Sequence, residues 1–142
     1  MQTKVLLVDD EEEFVEILSS RLETRGFVVH TAFSGDDALE FLEKEEVDVV
    51  ILDVVMPGRD GVETLREIKR LRPLTEVIML TGHGTVDTAI QGMKLGAYDY
   101  LIKPTDTKDL IEKIEKAKQR KAEQEQRIKN AEVERIVQSR GW

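Results

Sequence analysis

Four short apolar runs in this chain each end on polar groups, two on aspartate, one on a threonine and one on a lysine. Val5-Leu6-Leu7-Val8 runs into Asp9 and Asp10, Val49-Val50-Ile51-Leu52 into Asp53, Val77-Ile78-Met79-Leu80 into Thr81, and Tyr100-Leu101-Ile102 into Lys103 and Pro104. Between them lie longer stretches of helical periodicity, and that alternation is the pattern of βα units built around a parallel sheet. In open α/β sheets the functional site lies at the C-terminal ends of the strands. Three carboxylates, a hydroxyl and an ammonium would then converge on one edge, a set suited to a divalent cation and a phosphoryl group.

The spacing predicts strands at about residues 4–8, 27–32, 48–52, 76–80 and 98–102, hence five βα units. Phe14, Ile17, Leu18 and Leu22 form one helical stripe expected to be buried, and Leu65, Ile68 and Leu71 form another. Asp10 with Glu13, and Ser34 with Asp37, have the spacing of a helix cap and its third residue. Gly26 suits a helix C-terminus. Met56 to Gly61 carries the Pro and Gly of a loop, so the third strand must turn just past Asp53. A helix is predicted from 106 to about 138, because no breaker intervenes before Gly141. Its second half should project, since Lys121 and Gln124 fall where a heptad read from Ile114 and Ala117 needs apolar residues.

Composition narrows the function classes. At 142 residues, the chain is one domain's worth, expected as residues 1–118 with a helical extension or linker over 119–142. Residues 1–111 carry 12 Lys and Arg against 23 Asp and Glu, a net charge of −11, while 112–142 carry 9 against 6, a net +3. An acidic body repels nucleic acid and favours cations or basic partners. No direct nucleic-acid binding is expected. Nor is membrane association, since no apolar run reaches about 18 residues, and the protein is expected to be cytoplasmic. The absence of cysteine excludes disulfides and thiolate chemistry.

Taken together, Val8-Asp9-Asp10-Glu11, Leu52-Asp53 through Asp60-Gly61, Leu80-Thr81-Gly82 and Gly96-Ala97-Tyr98-Asp99-Tyr100-Leu101-Ile102-Lys103-Pro104 resemble the receiver domain of bacterial two-component response regulators, over roughly residues 3–118. The resemblance implies a flavodoxin-like doubly wound α/β fold with five parallel strands in the order 2-1-3-4-5 and five helices, the last extended. It implies that Asp53 is the phosphoacceptor. Mg²⁺ or Mn²⁺ would be held by Asp10, Asp53 and the main-chain carbonyl of Val55, with Asp9 acting mainly through a bound water. Lys103 would neutralise phosphoryl oxygens, with the Lys103–Pro104 peptide cis. Thr81 and Tyr100 would form a linked switch, and Val55 and His83 would tune dephosphorylation. Glu11, Glu12 and Glu13 are explained by the N-terminus of a helix, where acids are favoured, and His30 is expected to be structural.

The leading functional expectation is a signalling switch. It would take a phosphoryl group from a phosphohistidine on a sensor kinase or phosphotransfer protein and change the surface of the fourth helix, fifth strand and fifth helix. It would catalyse only its own phosphorylation and dephosphorylation. A phosphorylation-independent interaction module is the alternative. An aspartyl-phosphate phosphohydrolase is disfavoured, because Val55 stands where a general acid would be needed. Residues 119–142 are too few for a recognisable effector domain, so the chain is expected to be either a stand-alone receiver acting through a downstream protein partner or a receiver with the linker helix of a larger regulator. A homodimer, through that same surface or the C-terminal helix with Ile128, Ala131, Ile136 and Val137, is the further possibility.

Overall fold

In the computed structural model of the protein, the described residues are 2–56, 60–82 and 86–141. Strands β1 (Lys4–Val8), β2 (Val28–Ala32), β3 (Val49–Leu52), β4 (Glu76–Thr81) and β5 (Asp99–Ile102) form one parallel sheet in the order β2-β1-β3-β4-β5. Helices α1 (Glu12–Thr24), α2 (Gly35–Lys44), α3 (Gly61–Leu71), α4 (Val86–Lys94) and α5 (Thr107–Ser139) complete the flavodoxin-like doubly wound fold. The first three runs of the sheet read as uninterrupted apolar stretches because both faces are covered. Val5, Leu7, Val49, Ile51, Ile78 and Leu80 pack towards α1 and α5, while Leu6, Val8, Val50, Leu52, Val77 and Met79 pack towards α2, α3 and α4. Strand order reverses between β1 and β3, and that switch point opens a crevice at their C-terminal ends.

Local chemistry explains most boundaries. The Ser34 side chain accepts from the Asp37 N–H at 3.1 Å and caps α2, and Asp106 accepts from the Lys108 N–H at 2.8 Å and caps α5. Gly26 takes φ +91°, in the left-handed region where a side chain is strained, and ends α1. Two expectations need correction. Helix α1 starts at Glu12 with Glu11 in the cap position and no side-chain cap, so Asp10 with Glu13 is not its cap pair. The buried face of α1 is Val15, Leu18, Ser19 and Leu22, leaving Ile17 about half exposed and Phe14 half-buried. Both border a surface cleft with Lys103 and Pro104, Phe14 also packing against the edge of the core. His30 is structural, its ring centroid 4.9 Å from that of Phe41.

At 33 residues, α5 is about 50 Å long. Leu110, Ile114 and Ala117 seat its first turns in the core. A row of acids at the opposite edge of the sheet holds the next ones: Lys113 pairs with Asp99 at the start of β5, and Arg120 with Glu76 at the start of β4 (3.2 Å). Lys121 approaches Asp48 (3.5 Å), Glu46 (3.7 Å) and Glu125 (3.1 Å). Lys121 is only 6% exposed. Its place in the sequence, wrong for a heptad, is right for a contact with the body. Past this clasp the helix projects, with Ile128, Val133 and Ile136 about half exposed.

Burial pushes the Lys121 ammonium down, but the Glu125 hydrogen bond and the charges of Glu125, Asp48 and Glu46 outweigh it and hold it above its ordinary 10.5. A raised amine stabilises the fold in full below pH 10.5, and that contribution disappears as pH climbs through the raised value. Lys121→Ala should therefore lower the unfolding free energy near neutral pH by about 1 kcal/mol, since only Asp48 among its three acids is half-buried while Glu46 and Glu125 are exposed. Urea denaturation checks the size. Hydrogen exchange should report faster opening in α5 beyond residue 117, and an unchanged profile there would contradict the clasp.

Candidate functional site

The register of the sheet places Val8 beside Leu52, so Asp9 and Asp53 leave adjacent strand ends together. Backbone hydrogen bonds continue the ladder by one residue: the Asp9 N–H donates to the Ala32 carbonyl (3.1 Å) and the Asp53 N–H to the Val8 carbonyl (3.0 Å). Both side chains are then fixed by the turn that follows. The Asp9 carboxylate accepts from the Glu11 N–H at 3.0 Å, and the Asp53 carboxylate from the Val55 N–H at 3.1 Å. These short Asp turns satisfy one oxygen of each carboxylate and leave the other to the site.

One carboxylate oxygen from each of Asp9, Asp10 and Asp53 lies within 4.8 Å of the others. Asp9 and Asp53 are buried, whereas Asp10 is exposed. Lys103 enters from β5, its N–H bonded to the Thr81 carbonyl at 2.9 Å and its peptide to Pro104 cis. Its ammonium lies 2.6 Å from Asp9, 3.3 Å from Glu11 and 3.9 Å from Asp53, over the Phe14 ring at 4.0 Å from the centroid. One cation thus faces several acids. Burial pushes the Asp9 carboxyl above its ordinary 3.8, with Asp53 adding to the rise, and the Lys103 hydrogen bond and the Glu11 N–H oppose it without cancelling it. Burial lowers Lys103, but Asp9, Asp53 and Glu11 outweigh that, and its ammonium is held above 10.5.

An acid raised in the folded state binds its proton longer than in the unfolded chain, so ionising Asp9 costs stability from about pH 3.8 upward, and the cost persists at neutral pH. A bound cation would offset it. Oxygen-only donors, few in number and partly open to water, suit a small hard cation such as Mg²⁺.

Thr81 is fully buried at the end of β4. Since Met79 is the sheet partner of Tyr100, Thr81 lies two residues further along on the same face as Tyr100. The Tyr100 hydroxyl lies 3.4 Å from the Thr88 hydroxyl, which ties β5 to α4. Val55 is half exposed beside Asp53. His83 lies outside the described residues. The sequence-expected groups Asp9, Asp10, Asp53 and Lys103 are therefore together, with Thr81 on the neighbouring strand.

Three participants were not legible as such. Glu11 looks like an acid at a helix start, Phe14 like a core residue, and Thr88 like an ordinary helix position. Only the cationic partner 92 residues away reveals Glu11. Gly61 has a sharper signal. A Cβ there would lie 2.6 Å from the Asp53 carbonyl and strike the Val54 backbone, while the Gly61 N–H holds the Val54 carbonyl at 2.9 Å. Glycine is what lets α3 start against the chain leaving β3.

Two outcomes follow from this geometry. At ten times its dissociation constant, Mg²⁺ should raise the unfolding free energy by about 1.4 kcal/mol. Asp10→Asn should remove most of that gain in a denaturation titration, and an equal gain in the variant would contradict the assigned cluster. Gly61→Ala should cost about 1–3 kcal/mol through overpacking and weaken Mg²⁺ binding in the same titration, because backbone rather than a flexible side chain must move. Wild-type stability in that variant would show that the loop adapts.

Comparison with known proteins agrees with the sheet and its acidic edge. The model of the response regulator receiver domain matches residues 5–115. The response regulator receiver domain protein from Clostridium thermocellum is 43% identical, covering 84% of this chain and 97% of that one, with a TM-score of 0.80. A response regulator protein from Burkholderia pseudomallei, solved with a phosphorylated aspartic acid and a calcium ion, is 25% identical over 99% of this chain and 86% of its own, with a TM-score of 0.77. NtrX from Brucella abortus is 33% identical over 89% of this chain but only 29% of its own, with a TM-score of 0.82. The chain belongs to the response regulator receiver domain family.

Proposed function

We propose that the protein is a phosphorylation-dependent switch in which Asp53 accepts a phosphoryl group from a phosphohistidine on a sensor kinase or phosphotransfer protein. The observation that carries this reading is the Lys103 ammonium held between Asp9 and Asp53 at the ends of three different strands. A carboxylate is a weak nucleophile towards an anionic donor, so acceleration must come from positioning and charge neutralisation. The Val55 N–H fixes one Asp53 oxygen. The other attacks phosphorus, and the O–P bond forms as the donor's N–P bond breaks with its electron pair staying on the imidazole nitrogen. Lys103, shifting from Asp9, then neutralises the transferred oxygens.

Asp9, Asp10 and Asp53 would hold Mg²⁺, which supplies compensation for the charge that collects on the phosphoryl oxygens. A relative carrying a phosphorylated aspartic acid supports the same chemistry here. The output follows from Tyr100 and Thr81 sharing a face beside α4. Recruitment of the Thr81 hydroxyl by the phosphoryl group would free space for the Tyr100 ring and release its tie to Thr88. The α4, β5 and α5 surface, with Val86, Ile90, Met93 and Ile102 exposed, would then bind a downstream protein or a second copy differently. The projecting end of α5 offers a second contact for that copy.

Intact mass after incubation with acetyl phosphate or phosphoramidate checks the chemistry. A gain of one phosphoryl mass that requires Mg²⁺ and is absent in Asp53→Asn is expected. A gain that survives in Asp53→Asn would place the acceptor elsewhere.

A further inference from the structure

Lys103 is the residue of the site with the most partners, and one of its acidic partners does not belong to the cluster of three aspartates. The Glu11 carboxylate reaches the ammonium at 3.3 Å from a side chain that is 59% exposed. Asp9 already holds that ammonium at 2.6 Å, and the Phe14 ring lies under it at 4.0 Å. Glu11 is thus superfluous for keeping Lys103 in the site. At 3.9 Å from Asp53, Lys103 is too far for a hydrogen bond to that carboxylate, and bonding phosphoryl oxygens there requires it to turn from its present carboxylate partners. An uncharged ring permits that movement, whereas a second carboxylate resists it and also adds negative charge where an anionic donor arrives.

We propose that Glu11 is a positioning residue that restrains Lys103 and slows transfer from anionic donors, setting the rate at which the switch is charged. This rests on Asp53 being the phosphoacceptor. Glu11 makes no contact with the phosphoryl group. It acts through the lysine and through its own charge, so the effect must scale with donor charge and weaken with salt.

The test is the initial rate of Mg²⁺-dependent mass gain for the wild type and Glu11→Gln, with dianionic acetyl phosphate and monoanionic phosphoramidate, at low and at high salt. With acetyl phosphate at low salt, Glu11→Gln should be about two- to five-fold faster, the size carried by an exposed ion pair. The gain should be smaller with phosphoramidate and fade in about 1 M salt, where screening extends only a few ångströms. A variant no faster than wild type, or one whose gain ignores donor charge and salt, overturns the assignment of Glu11 and leaves the phosphoacceptor reading standing. A wild type that takes up no phosphoryl group from either donor overturns both.

Discussion

A single ammonium shared among carboxylates organises the functional edge of this protein. Asp9 leaves β1, Asp53 leaves β3 and Lys103 leaves β5, and no two of them are near in sequence. Bringing the acids together costs desolvation and like-charge repulsion. Lys103 offsets part of that cost and is itself held charged by it. On the proposed reading, the remainder is what would let the site take a hard cation, and the incomplete neutralisation would be its functional property.

The fold supplies the geometry by means that have little to do with charge. Register between β1 and β3 sets the two aspartates side by side, and two backbone N–H groups orient their side chains. Gly61 lets α3 begin against the chain leaving β3 without a steric clash. At the other edge of the sheet the charges are arranged differently. Asp48, Glu76 and Asp99 stand at the starts of three strands, and the cations of α5 answer them nearly one for one. The upper edge leaves its acids underpaired and open to ligands, while the lower edge pairs them and fastens a helix.

Much of this was legible in the sequence. The three central strands read clearly because burial on both faces demands uninterrupted apolar runs, and the aspartates and Thr81 stand at their ends. Ser34 was readable as a cap because a cap is a local interaction. What failed was long-range. Asp10 and Glu13 have the spacing of a cap pair, but Asp10 joins the acidic cluster and α1 begins two residues later. Lys121 looked like a broken heptad because its partners, Glu46 and Asp48, come from a loop more than seventy residues away. Glu11 and Phe14 carry the signatures of a helix start and a core stripe, and nothing local shows that Lys103 folds down on both.

The central claim is that Lys103 stands ready between Asp9 and the acceptor and moves onto the phosphoryl group. A crystal structure with Mg²⁺ and beryllofluoride, a mimic of the acyl phosphate, tests it most directly. The account predicts beryllofluoride on Asp53, a cation touching Asp10 and Asp53, and the Lys103 ammonium, 3.9 Å from the Asp53 carboxylate without the mimic, at hydrogen-bonding distance of a fluoride. Beryllofluoride absent from Asp53, or bound there while Lys103 keeps its contact with Asp9 and reaches no fluoride, would contradict it.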